Sequence, residues 1–273
     1  MSNTDKPGTG WVDVPGTRAV RLYSLIMKPS VSCSNSYVLD AAGAILIIDP
    51  GTSDVNTNTI INLVDDLKKQ RKRPVYILLT HGHIDHYLKT PELQRRFQAQ
   101  LVCHEACADI IVRRDRNASI ASHFAVEAPD CGSVARLDSP SFSLGGGDEL
   151  KIYHTPGHTD GCVCFHVGCF FFTGDLLFAA NPGVAGVPGW NRKALLRSVD
   201  ALLESAERHG GVDRVFPGHG NPISGDDAVK LLHRARKQAS VLPDAIPMDK
   251  RRVDDLSAYA MLLLAQAAKC FAI

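Results

Sequence analysis

Short apolar blocks that each end in a polar turn recur along the 273-residue chain. Five of them close on a histidine or an aspartate: GAILIIDPG at Asp49, VYILLTHGH at His81, ELKIYHTPGH at His158, FFFTGD at Asp175 and RVFPGHG at His219. Runs of this length that are rich in β-branched and aromatic residues, and bounded by Gly, Pro or Asp, are typical of β-strands. The pattern therefore predicts strands that each end in a turn containing a histidine or an aspartate.

The segment from Asn191 to His209 has helical periodicity instead. Its apolar positions recur three or four residues apart, at Leu195, Val199, Leu202 and Ala206. Asn191 is a typical residue for the start of a helix, and Gly210 is typical of the position after its end. Strands that alternate with helices predict a layered α/β fold, with catalytic groups on the loops where strands end.

After Ser224 the pattern predicts one helix, a proline-marked break from Leu242 to Met248, and a last helix from about Val253 to Phe271. The last helix is apolar around much of its girth, so it needs burial on more than one side. Charged residues interrupt and flank it, which disfavours a membrane span. We expect it to pack on the protein core or, alternatively, to form a homodimer with a second copy.

Composition narrows the class of protein. Hydrophobic residues make up 45% and charged residues 22% of the chain, which is usual for a folded globular protein. Thirty Lys and Arg residues against 29 Asp and Glu residues leave a net charge of +1, so nucleic acid is not an expected partner. The start, MSNTDKPGTG, lacks the basic and apolar regions of a signal peptide, which favours a cytoplasmic location.

Eight cysteines stand at irregular positions in the chain. With no export signal expected, reduced and buried thiols are the predicted state. Cys162 and Cys164 alternate along a predicted strand and so share one face. A metal site at this pair is the alternative to simple packing.

The highest density of potential metal ligands is in the segment HGHIDH, directly after the apolar run from Val75 to Leu79. It contains three imidazoles and a carboxylate, on His81, His83, Asp85 and His86. Both groups are typical zinc ligands, and one tetrahedral ion could not easily use all four. A histidine-rich surface loop is the alternative, but histidine and aspartate recur in the turns PGHT, TGD and PGHG. The sequence therefore predicts a metal site.

The HxHxDH segment, followed in order by His158, Asp175 and His219, resembles the metallo-β-lactamase superfamily. The resemblance extends from about Ser24 to Ser224 and implies an αββα sandwich with metals at one edge of the two facing sheets. We expect a single domain over residues 1–273, with a core at about 20–225 and a helical C-terminal extension at about 226–273. Asp49 matches the family's structural aspartate at a strand end.

The resemblance also implies which residues hold two divalent ions, zinc first, with iron or manganese as alternatives. The first ion would be bound by His81, His83 and His158. The second would be bound by Asp85, His86 and His219, with Asp175 as the bridge. Two nearby cations repel each other, so an anionic bridge of carboxylate and hydroxide agrees with this assignment.

A hydroxide between two metals is a nucleophile near neutral pH, so we expect hydrolysis of an acyl bond in a small molecule. Asp85 would orient the water or take up its proton as a catalytic residue. The segments PGHTDGCVCF, FFTGDLLF and PGHG resemble glyoxalase II and its relatives, which keep the bridging aspartate, so a thioester is the first choice. Lactone hydrolysis and an iron oxidoreductase of the persulfide dioxygenase type are the alternatives.

Four residues are candidates for substrate contacts. Tyr87 stands where the family commonly has a small residue, and packing is its alternative role. Phe178 stands where related lactonases often have a tyrosine, and its ring cannot donate a hydrogen bond. Trp190 and Arg192 lie at the end of a Gly/Pro-rich stretch and offer a stacking surface and a partner for a carboxylate, and an ordinary surface loop is the alternative. The basic glutathione-binding residues of glyoxalase II are not recognisable, so glutathione is not implied.

Overall fold

The computed structural model describes residues 10–27, 33–179, 187–208 and 212–242 of the chain. They form two β-sheets. The first sheet has seven strands in chain order: β1 (Trp11–Asp13), β2 (Arg21–Leu25), β3 (Ser36–Asp40), β4 (Ile45–Ile48), β5 (Val75–Leu78), β6 (Gln100–Cys103) and β7 (Val134–Arg136). The second has six strands, in the order β13 (Ile223–Ser224), β12 (Arg214–Pro217), β11 (Phe170–Gly174), β10 (Val163–Val167), β9 (Asp148–His154) and β8 (Ser141–Gly145).

Helices connect these strands. The described residues include α1 (Asp54–Gln70), α2 (Ile84–Tyr87), α3 (Thr90–Phe97), α4 (Glu105–Val112), a short 3-10 helix (Ala121–Phe124), α5 (Leu176–Ala179), α6 (Arg192–Arg208) and α7 (Gly225–Ser240). Helix α6 begins where the Ala194 N–H donates to Oδ1 of Asn191 at 2.9 Å. The helix predicted to start at Asn191 is therefore confirmed, whereas Gly210 lies outside the described residues.

Alternation of side chains along β4 shows how the first sheet is covered. Ile45 and Ile47 are fully buried in a cluster that includes residues of α1 and α3. Leu46 and Ile48 are also fully buried, but in a cluster shared with the second sheet. Successive strand residues point to opposite faces, so a strand that is apolar at every position must be covered on both.

The second sheet is covered in the same way. Phe171 and Val215 pack with residues of α6 and α7, while Phe170, Phe172 and Phe216 pack in the cluster between the sheets. The layers are therefore helix, sheet, sheet and helix. This confirms the αββα sandwich that the sequence predicts.

The directions of the strands bring the five polar turns together. Strands β4 and β5 are parallel neighbours, so their carboxyl ends lie at one edge of the first sheet. In the second sheet β9 and β11 are both antiparallel to β10, and β12 is parallel to β11, so these three carboxyl ends also share an edge. The two edges are joined where the Val163 N–H donates to the Thr80 carbonyl at 2.8 Å. The turns therefore gather at one end of the sandwich.

The chain after β13 forms α7, as the pattern after Ser224 predicts. The last predicted helix, from Val253 to Phe271, lies outside the described residues. Its burial, a homodimer through it, and the division of the chain into a core and an extension remain predictions. None of the helices that the structure describes is both long and apolar enough to cross a membrane.

Candidate metal centre

The seven predicted metal ligands all lie at this end of the sandwich and are almost inaccessible to solvent. No more than 5% of any of them is exposed, for His81, His83, Asp85, His86, His158, Asp175 and His219. Histidine and aspartate are seldom so deeply buried unless they are paired or bind a metal. Their arrangement therefore needs a chemical explanation.

The first group consists of His81, His83 and His158, whose ligand atoms all lie within 4.8 Å of one another. His81 and His83 belong to the turn after β5, and His158 belongs to the turn after β9. Nε2 of His158 lies 2.9 Å from Nδ1 of His83. Three imidazole nitrogens from both sheets thus converge on one point, which is a typical arrangement of zinc ligands.

The second group consists of Asp85, His86 and His219, which satisfy the same distance limit of 4.8 Å. The short helix α2 places Asp85 and His86 next to each other, and His219 follows β12. Nε2 of His219 lies 3.1 Å from Oδ2 of Asp85, and Nε2 of His86 lies 3.5 Å from the same oxygen. Each group therefore offers three donors from both sheets.

The carboxylate of Asp175 lies between the two groups. Its Oδ1 is 3.4 Å from Nε2 of His86, and its Oδ2 is 3.6 Å from Nε2 of both His158 and His219. The backbone of Gly218 presses against it, because a Cβ at that position would overlap Oδ1 of Asp175. The aspartate is thus held where it faces donors of both groups.

Several buried polar atoms at the centre have no hydrogen-bond partner among the described residues. They are Nε2 of His81, His83 and His86, Nδ1 of His158, and Oδ1 of Asp85 and Asp175. Buried polar atoms are rarely left unpaired, because the loss of water costs about 1–3 kcal/mol for each. Nitrogen and carboxylate donors with this deficit fit divalent cations.

The first group is electrically neutral near pH 7. Burial lowers the pKa of His81 and His83 well below its usual value, and neighbouring imidazoles lower it further. Burial also lowers the pKa of His158 to about 4, against the opposing effect of Asp175. Neutral imidazole is the form that binds a metal ion.

The second group carries charges of both signs. Burial opposes protonation of His86 and His219, but the carboxylates of Asp85 and Asp175 outweigh it and raise the pKa of both imidazoles. Burial likewise raises the pKa of the two carboxyls, but the imidazoles outweigh it and bring that pKa below its usual value. A cation at this group would replace the protons on the imidazoles.

Asp49 supports the second group through contacts with His86 and Thr80. Its Oδ2 lies 2.9 Å from Nδ1 of His86 and accepts a hydrogen bond from the Thr80 hydroxyl at 2.6 Å, while its Oδ1 accepts from the Thr80 N–H at 2.8 Å. A carboxylate at Nδ1 keeps the proton on that nitrogen and leaves the Nε2 lone pair directed at the centre. Asp49 therefore has the structural role that the sequence predicts.

We expect Asp49→Asn to weaken metal binding about 10- to 100-fold and to lower the free energy of unfolding by about 1–3 kcal/mol. Asparagine tolerates the left-handed backbone of this residue (φ 49°), but its amide group cannot accept all three hydrogen bonds. Competition with a chelator and thermal unfolding measure the two effects. The exposed Asp138→Asn is the matched control, and equal metal affinity in both variants would contradict this role.

Comparison with known proteins identifies the family. The sequence profile of the metallo-beta-lactamase superfamily matches residues 32–219, a span that contains both groups and Asp175. The chain belongs to this superfamily. It is a metal-dependent hydrolase, and superfamily members bind divalent metals.

Three similar proteins illustrate its place in the superfamily. An uncharacterised protein of Mycobacterium bovis is 34% identical over 192 residues, which are 64% of this chain and 80% of that protein. The probable polyketide biosynthesis zinc-dependent hydrolase BaeB of Bacillus velezensis is 30% identical over 143 residues, 52% of this chain and 55% of that protein. The crystal structure of TTHA1623 in a di-iron-bound form has a TM-score of 0.57 at 26% identity, and covers 77% of this chain and 98% of that chain.

Two of the residues predicted to contact substrate have side chains that make contacts within the protein. Tyr87 is fully buried in the cluster between the first sheet and its helices, so its side chain has no solvent-facing surface. Arg192 donates from Nη1 to the carbonyls of Ser240 at 3.2 Å and Leu242 at 2.9 Å, where α7 ends. Cations at the end of a helix interact favourably with its free carbonyls. A substrate contact at either residue stays a prediction.

The other two residues predicted to contact substrate are Trp190 and Phe178. Trp190 is half-buried against the cluster of α6 and α7, and the next residue donates its N–H to the Gly157 carbonyl at 2.8 Å. That contact places Trp190 beside the loop of His158. Phe178 lies in α5, but its side chain is outside the described residues.

Cys164 lies in β10 and Cys162 lies just before it, and the two do not form a metal site with other described residues. Sγ of Cys162 lies 3.1 Å from the hydroxyl of Thr159, and Sγ of Cys164 lies 3.3 Å from the hydroxyl of Thr155. Burial raises the pKa of both thiols to about 12, so they stay protonated. No cysteine joins a metal-binding cluster in the described part of the chain, and packing is the role that the structure gives this pair.

Some supporting residues were missed by sequence reasoning. Nε2 of His154 lies 2.8 Å from the Asp160 carbonyl and so closes the loop that carries His158. The ring of His104 stacks on the ring of His154, with the two centroids 4.1 Å apart. Thr80 donates two hydrogen bonds to Asp49. It directly precedes the HxHxDH segment, and this position was a signal for a supporting role. Asn35 belongs to none of the motifs in the sequence, and only its contacts with the turn of His219 show its supporting role.

Proposed function

We propose that the chain is a dinuclear hydrolase that cleaves an acyl bond, a thioester first, in a small molecule. The first ion would be held by His81, His83 and His158, and the second by Asp85, His86 and His219. Asp175 would bridge them. The observation that carries this proposal is the position of the Asp175 carboxylate, 3.4 to 3.6 Å from imidazole nitrogens of both groups.

The set of donors supports two ions rather than one. Each group supplies three protein donors, which leaves a coordination position free for water or substrate, as is usual at catalytic zinc sites. A carboxylate between the groups reduces the repulsion between two cations. The donors are all nitrogen and oxygen, which suit zinc, and the name of the Bacillus velezensis relative specifies zinc. Iron is the alternative, since TTHA1623 was crystallised in a di-iron-bound form.

When bound, such ions lower the pKa of a water molecule and polarise an acyl carbonyl. Oδ2 of Asp85 faces His86 and His219 and would be the ligand atom. Its Oδ1 is buried and without a hydrogen bond among the described residues, which leaves that oxygen to orient the water or take up its proton. The other oxygen of Asp85 is oriented by His219 at 3.1 Å. We therefore assign proton uptake to Oδ1 of Asp85.

A thioester is our first choice of substrate because the segments around His158, Asp175 and His219 resemble glyoxalase II. In this reaction the water oxygen bonds to the acyl carbon, the carbon–sulfur bond breaks, and the products are a carboxylic acid and a thiol. Lactones are the second choice. A mononuclear iron-dependent oxidoreductase is less well supported, because it needs one metal ion and would leave the three donors of the second group without a role.

Metal analysis and a substrate panel test the proposal together. Protein purified without chelator is expected to hold about two ions per chain and to hydrolyse thioesters faster than lactones, β-lactams or phosphodiesters. A single iron per chain with oxygen consumption would contradict the proposal and favour the oxidoreductase. Two ions with a preference for lactones would retain the metal centre and replace the substrate.

A further inference from the structure

A buried asparagine reaches the turn that carries His219. Asn35 is fully buried just before β3. Its Nδ2 donates to the carbonyls of Gly220 at 2.7 Å and Pro217 at 3.0 Å, which lie on either side of Gly218 and His219. Its own N–H donates to the Gly218 carbonyl at 2.7 Å. One residue therefore holds three carbonyls of this four-residue turn.

The same short segment also touches the other loop of the second group. The N–H of Ser34 donates to the Asp85 carbonyl at 3.3 Å. The hydroxyl of Tyr37 donates to the Pro217 carbonyl at 2.6 Å and accepts from Nδ2 of Asn35 at 3.2 Å. These side-chain and backbone contacts reach the loops of Asp85 and His219, and none of them involves His81, His83 or His158.

The hydrogen-bonding groups of Asn35 fit this position. Its Nδ2 faces two carbonyl oxygens, and its Oδ1 accepts from the N–H of Met27 at 2.9 Å. Only an amide supplies donors and an acceptor in this arrangement. An aspartate has the same size, but it would direct an oxygen at two carbonyl oxygens, and repulsion would displace the turn.

The turn has little room to adjust. Gly218 donates its N–H to the Gly174 carbonyl at 2.8 Å, and a Cβ on Gly218 would overlap Oδ1 of Asp175 and approach Cε1 of His86 at 2.8 Å. A small displacement of the turn therefore moves His219 relative to Asp85 and Asp175. Groups that orient metal ligands affect affinity strongly.

We propose that Asn35 is a positioning residue, which sets the affinity of the second group for its ion by fixing the turn of His219. This inference rests on the proposed dinuclear centre. It predicts an effect on one ion and not on the other. A residue that only stabilises the fold would affect both alike.

Titration of the metal-free full-length protein with Zn²⁺, in competition with a chromophoric chelator, tests the proposal. In the wild type we expect two binding steps, and His219→Ala identifies the step of the second group by weakening it. Asn35→Asp is expected to weaken that same step about 10- to 100-fold and to change the other less than about threefold. Tyr37→Phe removes one hydrogen bond to the same turn and should weaken the same step to a smaller extent, which keeps the test valid if Asn35→Asp does not fold.

Leu202→Ala is the matched control for lost stability, because it removes buried volume in the cluster of α6 and α7. It should lower the melting temperature and leave both steps unchanged. Equal weakening of both steps in Asn35→Asp, or no change in either, would overturn the positioning role. A wild type that binds only one ion would instead refute the dinuclear proposal.

Discussion

Replacement of His158 by alanine is expected to remove one metal ion and to lower kcat/KM about 1000-fold. The imidazole is one of three donors of the first group, and its Nε2 lies 2.9 Å from Nδ1 of His83. A catalytic metal contributes several kcal/mol to transition-state stabilisation, which corresponds to a rate factor of about this size. Elemental analysis and steady-state kinetics on the same preparation measure the two losses.

His123→Ala is the matched control for this variant. His123 is half-buried within the 3-10 helix and belongs to neither group. We expect full metal content and near-normal kinetics from it. Full metal content together with near-normal activity in His158→Ala would remove His158 from the proposed ligand set.

Asp175→Asn is expected to lower kcat/KM by a similar factor, about 1000-fold, through a different cause. The amide has nearly the same size as the carboxylate, so packing against Gly218 is retained, but the negative charge between the two groups is lost. Without it the repulsion between two cations is no longer offset, and the weaker of the two ions should dissociate. Metal content should fall towards one ion per chain.

The control for this charge change is Asp200→Asn, which removes only an exposed ion pair with Arg236. Such pairs contribute little to stability, so metal content and rate should match the wild type. Far-UV circular dichroism of both variants tests whether unfolding is the cause of any loss. If Asp175→Asn retains two ions and most of its activity, the aspartate is not a bridge.

The strands that carry the centre could be predicted because their signal is local. Apolar runs such as Ile45–Ile48 and Phe170–Gly174 are uniformly buried, and each ends at a turn with a ligand or a supporting aspartate. The order of residues in HxHxDH also limits which side chains can share a centre. Both features depend on residues that are close together in the sequence.

The surroundings of the centre depend on distant residues and could not be predicted in the same way. Tyr87 follows directly after a predicted ligand, yet its direction on α2 places it in the core. The guanidinium of Arg192 donates a hydrogen bond to a carbonyl at the end of α7, about fifty residues further along the chain. Asn35 reaches a turn 182 residues away, and no pattern around it indicates this contact.

Both groups of donors combine residues from the two sheets, and this has a consequence for the order of folding. His83 and His158 are separated by 75 positions, so the site does not exist until the two halves of the chain have met. Contacts between such distant segments form late, because loop closure costs entropy before it brings any gain. Metal ions should therefore bind only after the two sheets have docked. Once bound, they should slow the separation of the sheets and so lower the rate of unfolding.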